Sequence, residues 1–101
     1  MKIKTDDLTD AALDWAASAA QGDSDIHPYS SNWADGGPII EREKISLSYR
    51  AIVGDSYWAA EIDRPLCQEY GLTPLIAAMR CYVASKLGDE VDVPDELVEK
   101  A

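Results

Sequence analysis

Phenylalanine is absent from this 101-residue chain, histidine occurs once and cysteine twice. Cys67, Cys81 and His27 stand at wide, irregular spacings. A zinc set wants four ligands in close pairs, so no metal site is expected from them. Two cysteines are also too few for a disulfide-built scaffold. Both are expected as free thiols, with Cys81 a small core residue in an apolar helix. No stretch approaches the ~20 apolar residues of a membrane span, and no basic-then-apolar leader opens the chain. A soluble protein of the cytoplasm, without membrane contact, is the expectation. Positive charge is scarce: nine Lys and Arg face 19 Asp and Glu, a net charge of −10. That excess opposes non-specific attraction to nucleic acid or anionic lipid. Catalytic signatures are missing too, with no glycine-rich triphosphate loop, dinucleotide fingerprint or nucleophile elbow. No enzyme is expected, and no cofactor.

What is present suits one small domain over residues 1–101. An apolar fraction of 47% is enough to build a modest core. The acidity is uneven. Residues 1–37 set two Lys against seven Asp, residues 87–101 set Lys100 against six acids, and each segment sums to −5. The middle carries Arg42, Lys44, Arg50, Arg64, Arg80 and Lys86 against as many acids and is neutral. An anionic ligand would be met by the middle, and the acidic ends read as solvated faces.

Periodicity places the elements. A first helix starts at a cap on Thr5 or Thr9 and ends at Gly22, with Leu8, Ala12, Trp15, Ala16 and Ala19 on its apolar stripe. Residues 23–38 read as a loop, because Pro28 and Gly36-Gly37-Pro38 interrupt regular structure. Residues 38–44 read equally as a strand extension or a helical turn. Ile45, Leu47, Tyr49 and Ala51 alternate with polar residues, Gly54-Asp55-Ser56 is a turn, and Trp58, Ala60 and Ile62 share a face, which predicts an antiparallel hairpin over 45–62. Asp63 to Gly71 reads as a connection holding Pro65. Thr73 caps and Pro74 opens a buried helix over 74–87 that stops at Gly88. Val91, Val93 and Leu97 are placed to dock as a short strand or turn. The expected class is α+β: an N-terminal helix, a small antiparallel sheet and a central buried helix. A chain this short that covers one sheet face is expected to form a homo-oligomer, a dimer foremost.

Three features point to binding. Trp33, followed by Gly36 and Gly37, combines a stacking face with backbone that a ligand can approach closely; it reads equally as a tight turn whose Trp seals the core. Thr73 opens a helix whose free amides favour an anion, although every helix needs a cap. Arg80 is a lone cation in an apolar helix, so it must reach water, meet an anion or pair with Glu41, Glu61 or Glu69. Together these suggest an anionic, nucleotide-like ligand. Trp33, with Trp58 as the alternative, would stack on a base; amides of Gly36, Gly37 and Thr73 would hold oxygens; Arg42 or Arg80 would supply charge.

Three blocks carry a resemblance. Met1-Lys2-Ile3-Lys4-Thr5 with Leu8 and Ala11 to Ala16, then Gly36-Gly37-Pro38-Ile39-Ile40-Glu41-Arg42-Glu43, then Gly71 to Gly88 with Val93-Pro94 are similar to the NinX family of tailed bacteriophages and prophages. The family ordinarily has proline where this chain has Leu72. The resemblance implies a phage accessory protein at work in the host bacterial cytoplasm and supplies no catalytic residues. Two functions fit. One is a non-enzymatic binder that sequesters a small nucleotide-derived signalling molecule of the host's defences. The other is an acidic interaction module that inhibits or modulates a host or phage nucleic-acid enzyme.

Overall fold

The computed structural model describes residues 1–63 and 66–97. Its order is β1 (Lys2–Lys4), a 3-10 turn (Thr5–Asp7), α1 (Asp10–Gln21), α2 (Trp33–Glu43), β2 (Ser46–Ile52), β3 (Asp55–Asp63), β4 (Leu66–Gly71), α3 (Pro74–Leu87), β5 (Glu90–Asp92) and a 3-10 turn (Asp95–Leu97). The class is α+β, with the expected hairpin and the expected central helix.

Local chemistry accounts for α3. The Thr73 hydroxyl accepts from the Ile76 amide at 3.1 Å, Pro74 opens the helix, and the Gly88 amide closes it on the Ala84 carbonyl. Leu75, Ala77, Ala78, Met79, Cys81, Tyr82 and Val83 are all buried, so the helix is enclosed nearly all round. One side lies on β3 and β4, another on α1, and a third on α2. Leu8, Leu13, Ile39, Met79, Val83 and Val93 are the large side chains fully enclosed at this junction.

α1 begins after Thr9 as expected, although the Thr9 side chain makes no cap bond, and ends at Gly22 in the left-handed region (φ 72°). Its stripe is rotated from expectation. Ala12, Leu13, Ala16 and Ala17 are buried, Leu13 fully, whereas Ala19 is exposed.

The main correction lies at residues 33–43. They form α2: residues 33–37 are helix and not loop, the helical alternative holds for 38–43, and Gly36, Gly37 and Pro38 sit inside the helix. Asn32 caps it, its side-chain oxygen accepting from the Ala34 amide at 2.9 Å. Gly36 serves close packing: a Cβ there would stand 2.5 Å from the Tyr29 carbonyl oxygen and 2.7 Å from Leu75 Cδ2. Ile39, 1% exposed, supplies the burial that outweighs two glycines and a proline.

The sheet runs β2-β3-β4, antiparallel throughout, with Tyr49 opposite Trp58 and Trp58 opposite Gly71. The expected connection between Asp63 and Gly71 is thus largely strand β4, while Arg64 and Pro65 lie outside the described residues. Ala60 and Ile62 join the core, and Leu47, Trp58 and Cys67 pack against it. Tyr49 remains 57% exposed because α3 covers β3 and β4 rather than the far end of β2. Separately, β1 pairs with β5, with Ile3 opposite Val91, and buries Val91 and Val93, the expected docking of the tail. Among the described residues no helix is long and apolar enough to cross a membrane.

Candidate functional site

The proposed ligand residues divide into separate places. Trp33, the first residue of α2, is 54% exposed and stands with Ser30, Ser31 and Asp10 across a groove of about 310 Å³ from Thr73, Pro74, Leu75 and Ile76. The fold therefore does bring the tryptophan to the start of α3. The rest of the expected set is elsewhere or engaged. The Gly36 amide donates to the Asn32 carbonyl at 2.9 Å, and Gly37 lies one residue deeper in the helix. Neither glycine is the loop donor that the sequence suggested. The Thr73 hydroxyl is already the α3 cap. Trp58 lies on the core face of β3, its ring 5.3 Å from that of Tyr49, and does not line the groove.

The two arginines have other work. Arg42, at the far end of α2, donates from Nε to Glu43 at 2.9 Å and from a terminal nitrogen to the Tyr82 hydroxyl at 3.3 Å. Hydrogen bonding to Glu43 holds its pKa above the ordinary value. Arg80 donates from Nε to the Leu8 carbonyl at 2.8 Å and from a terminal nitrogen to the Tyr70 carbonyl at 2.7 Å. Neither Glu41, Glu61 nor Glu69 forms an ion pair with it among the described residues. Burial pushes the Arg80 pKa down, opposed by the field of Glu69, Asp6 and Asp7. Its guanidinium ties the chain before α1 and the end of β4 to the middle of α3.

Both cysteines are free. Burial raises the Cys81 thiol to about 12, so it stays protonated, and it donates weakly to the Cys67 carbonyl at 3.5 Å.

Two constellations escaped the sequence reading. The first follows from β1–β5 pairing. Lys2 faces Asp92, Lys4 faces Glu90, and the Met1 amino group donates to Asp92 at 3.0 Å and Asp95 at 2.9 Å. Residues of the acidic first and last segments thereby meet on one surface. Asp6, Glu69, Asp89 and Glu90 line a concavity of about 550 Å³ with Lys4. Partial burial, then the nearby Asp6 and Asp89, hold the Glu69 pKa above its usual range against the opposing pull of Arg80. The sequence contained the charges but not their meeting, since residues 4 and 90 are joined only by tertiary pairing.

The second is the segment Asp23-Ser24-Asp25-Ile26-His27. One ligating atom from each of Asp23, Asp25 and His27 lies within 4.8 Å of the others. His27 Nε2 is 3.8 Å from Asp23 Oδ2, and its Nδ1 is 3.9 Å from Asp35 Oδ1 on α2. Carboxylates two and four residues before the lone imidazole were a visible signal, hidden by counting only cysteine and histidine as ligands.

Residues 23–86, from the end of α1 to the last turn of α3, match the family described as Bacteriophage P22, NinX. Among curated proteins none matches the chain. The matched span holds α2, the whole three-stranded sheet and nearly all of α3, with part of the core and every residue lining the Trp33 groove except Asp10. On that match, made along well over half of its length, the chain belongs to the NinX family and is a phage accessory protein.

Proposed function

We propose that this phage protein acts without catalysis, by presenting its joined acidic ends to the basic surface of a host or phage nucleic-acid enzyme. The observation that carries this reading is that the β1–β5 pairing brings Asp6 to Asp89 and Glu90, where together with Glu69 they line one concavity. An enzyme that grips phosphates with Lys and Arg offers the complementary field, and the concentrated acids would steer association and compete with nucleic acid. The cations of the neutral middle leave most of this surface acidic: Arg42 and Lys86 contact Glu43, and Arg80, its guanidinium on carbonyls, offsets part of the field at Asp6 and Glu69. Both acidic ends extend beyond residues 23–86, so the reading concerns this chain and not the family as a whole.

The test is inhibition of a panel of purified host nucleic-acid enzymes by the wild-type protein and by a D6N/D89N/E90Q variant. Inhibition by the wild type that weakens steeply with salt and falls about tenfold or more in the variant is expected, each lost charge contact counting on the order of 1 kcal/mol. Equal inhibition by both proteins, or none by either, would remove this reading.

A second reading rests on the groove that unites Trp33 with the start of α3. A small nucleotide-derived molecule could stack on Trp33 there, and sequestration would again need no catalytic group. The groove offers Asp10 and no cation among its lining residues, which is why this reading ranks second. Calorimetry against cyclic dinucleotides and cyclic ADP-ribose isomers decides it; Trp33→Ala should weaken any true ligand by about tenfold, one base stack.

A further inference from the structure

We propose that Asp23, Asp25 and His27 form a binding site for a divalent transition-metal ion, with Asp35 as the positioning residue of the imidazole. The donors are two carboxylates and an aromatic nitrogen, a mixed set suited to zinc or a neighbouring first-row ion. Their ligating atoms already lie within 4.8 Å of one another. Bonds of about 2.0–2.2 Å would bring the atoms to roughly 3–3.5 Å apart, a short movement for side chains on a surface loop.

The loop is held in place by hydrogen bonds, one of which, from the Tyr29 hydroxyl to Asp23 Oδ2 at 3.4 Å, a bound ion would replace. The left-handed Gly22 turns the chain out of α1. The buried Ser18 hydroxyl donates to the Asp25 carbonyl at 2.7 Å, with that of Asp23 at 3.0 Å. Asp23 Oδ1 accepts from the Asp25 amide at 3.1 Å, which leaves Oδ2 on the side of the imidazole. The edge of the His27 ring rests against Tyr29, with centroids 5.6 Å apart.

Asp35 is the independent part of the argument, because it comes from another element. A metal-bound imidazole ordinarily donates its second N–H to a carboxylate, which selects the tautomer and aims the lone pair. Asp35 Oδ1, 3.9 Å from Nδ1, lies just beyond hydrogen-bond reach of that nitrogen, and a small side-chain movement would complete the contact. With the proton on Nδ1, the Nε2 lone pair would face Asp23 Oδ2 at 3.8 Å, two electron-rich atoms opposed. A cation between them relieves the repulsion, and the two ligating carboxylates neutralise a doubly charged ion. Three protein ligands leave further coordination positions open to water or a phosphate oxygen.

The chain has a single histidine, so its imidazole resonances report on this site alone. Titration of the full chain with Zn²⁺ alone, by calorimetry and by nitrogen-15 spectra of the imidazole, is expected to show one ion per chain and a shift of Nε2. His27→Gln and Asp25→Asn should each weaken binding by about tenfold or more. Cys67→Ser, which controls for thiol binding, should leave the affinity unchanged. In Asp35→Asn the metal-free imidazole should lose its preference for the Nδ1–H tautomer, a change that mere loop support would not produce. Absence of saturable binding up to ~1 mM, an unmoved His27 resonance, or an Asp25→Asn variant that binds like the wild type would each overturn the proposal.

Discussion

At the scale of single residues, context decides what a charged group does. Arg80 looked like a free cation because its helix neighbours are apolar, yet it donates to two backbone carbonyls and acts as a clamp. Glu69 is its counterpart: partial burial and the acids Asp6 and Asp89 disfavour its ionised form. Because its folded-state pKa is raised, its favourable contribution is full below the unfolded value and is lost as pH rises through the folded one. Glu69→Gln, fixed in the neutral form, is therefore expected to melt higher than wild type at pH 7 and equally near pH 4. The gain should be roughly 2–4 °C, the size of a half-kcal/mol effect in a domain of this length. Thermal melts at the two pH values decide it, and a variant less stable at pH 7 would assign Glu69 a net favourable pairing with Arg80.

At the scale of elements, α2 shows how packing overrides local signals. Glycine and proline at 36–38 rightly predict a poor isolated helix. The helix forms because Asn32 caps it, Ile39 is buried and Gly36 allows contact with Tyr29 and Leu75. Its other end carries a visible defect. Lys44 occupies the left-handed position (φ 56°), with its amide donating to the Glu41 carbonyl and the Ile45 amide to the Ile40 carbonyl. Glycine is the residue that this closure ordinarily uses. The exposed Lys44 forms no ion pair among the described residues. Lys44→Gly is expected to stabilise the fold by about 0.5–1 kcal/mol, part of the left-handed penalty being offset by glycine's freer unfolded state. Urea denaturation should show a higher midpoint with an unchanged slope.

At the scale of the whole molecule, the fold works against its own charge. A net −10 would be easier to spread out, yet the β1–β5 pairing sets Asp6 of the acidic first segment near Asp89 and Glu90 of the last. The Met1 amino group, paired with Asp92 and Asp95, and the cross-strand neighbours Lys2 and Lys4 offset only part of the repulsion. Raising salt from ~0.01 to ~0.15 M shortens the screening length from about 30 to about 8 Å. The melting temperature is therefore expected to rise, by about 4–8 °C for each kcal/mol of repulsion removed. A flat or falling salt dependence would mean that ion pairs outweigh the repulsion and would weaken the case for an exposed acidic surface.

Local chemistry alone determined a good part of this protein. Thr73-Pro74 and Gly88 bound α3, Gly22 ends α1, and the alternation around Gly54 makes the hairpin, because caps, turns and period-two patterns act over a few residues. The family was legible as well, since the Gly36–Glu43 block and all but the last two residues of the Gly71–Gly88 block lie within the matched span. Tertiary structure alone decided the rest. It made a helix of 33–43, set Arg80 on carbonyls 72 and 10 residues away, aimed Asp35 at His27, and joined the acidic ends across the width of the chain. Each of these depends on groups distant in sequence meeting in space, where burial and charge are summed over neighbours that no local window contains.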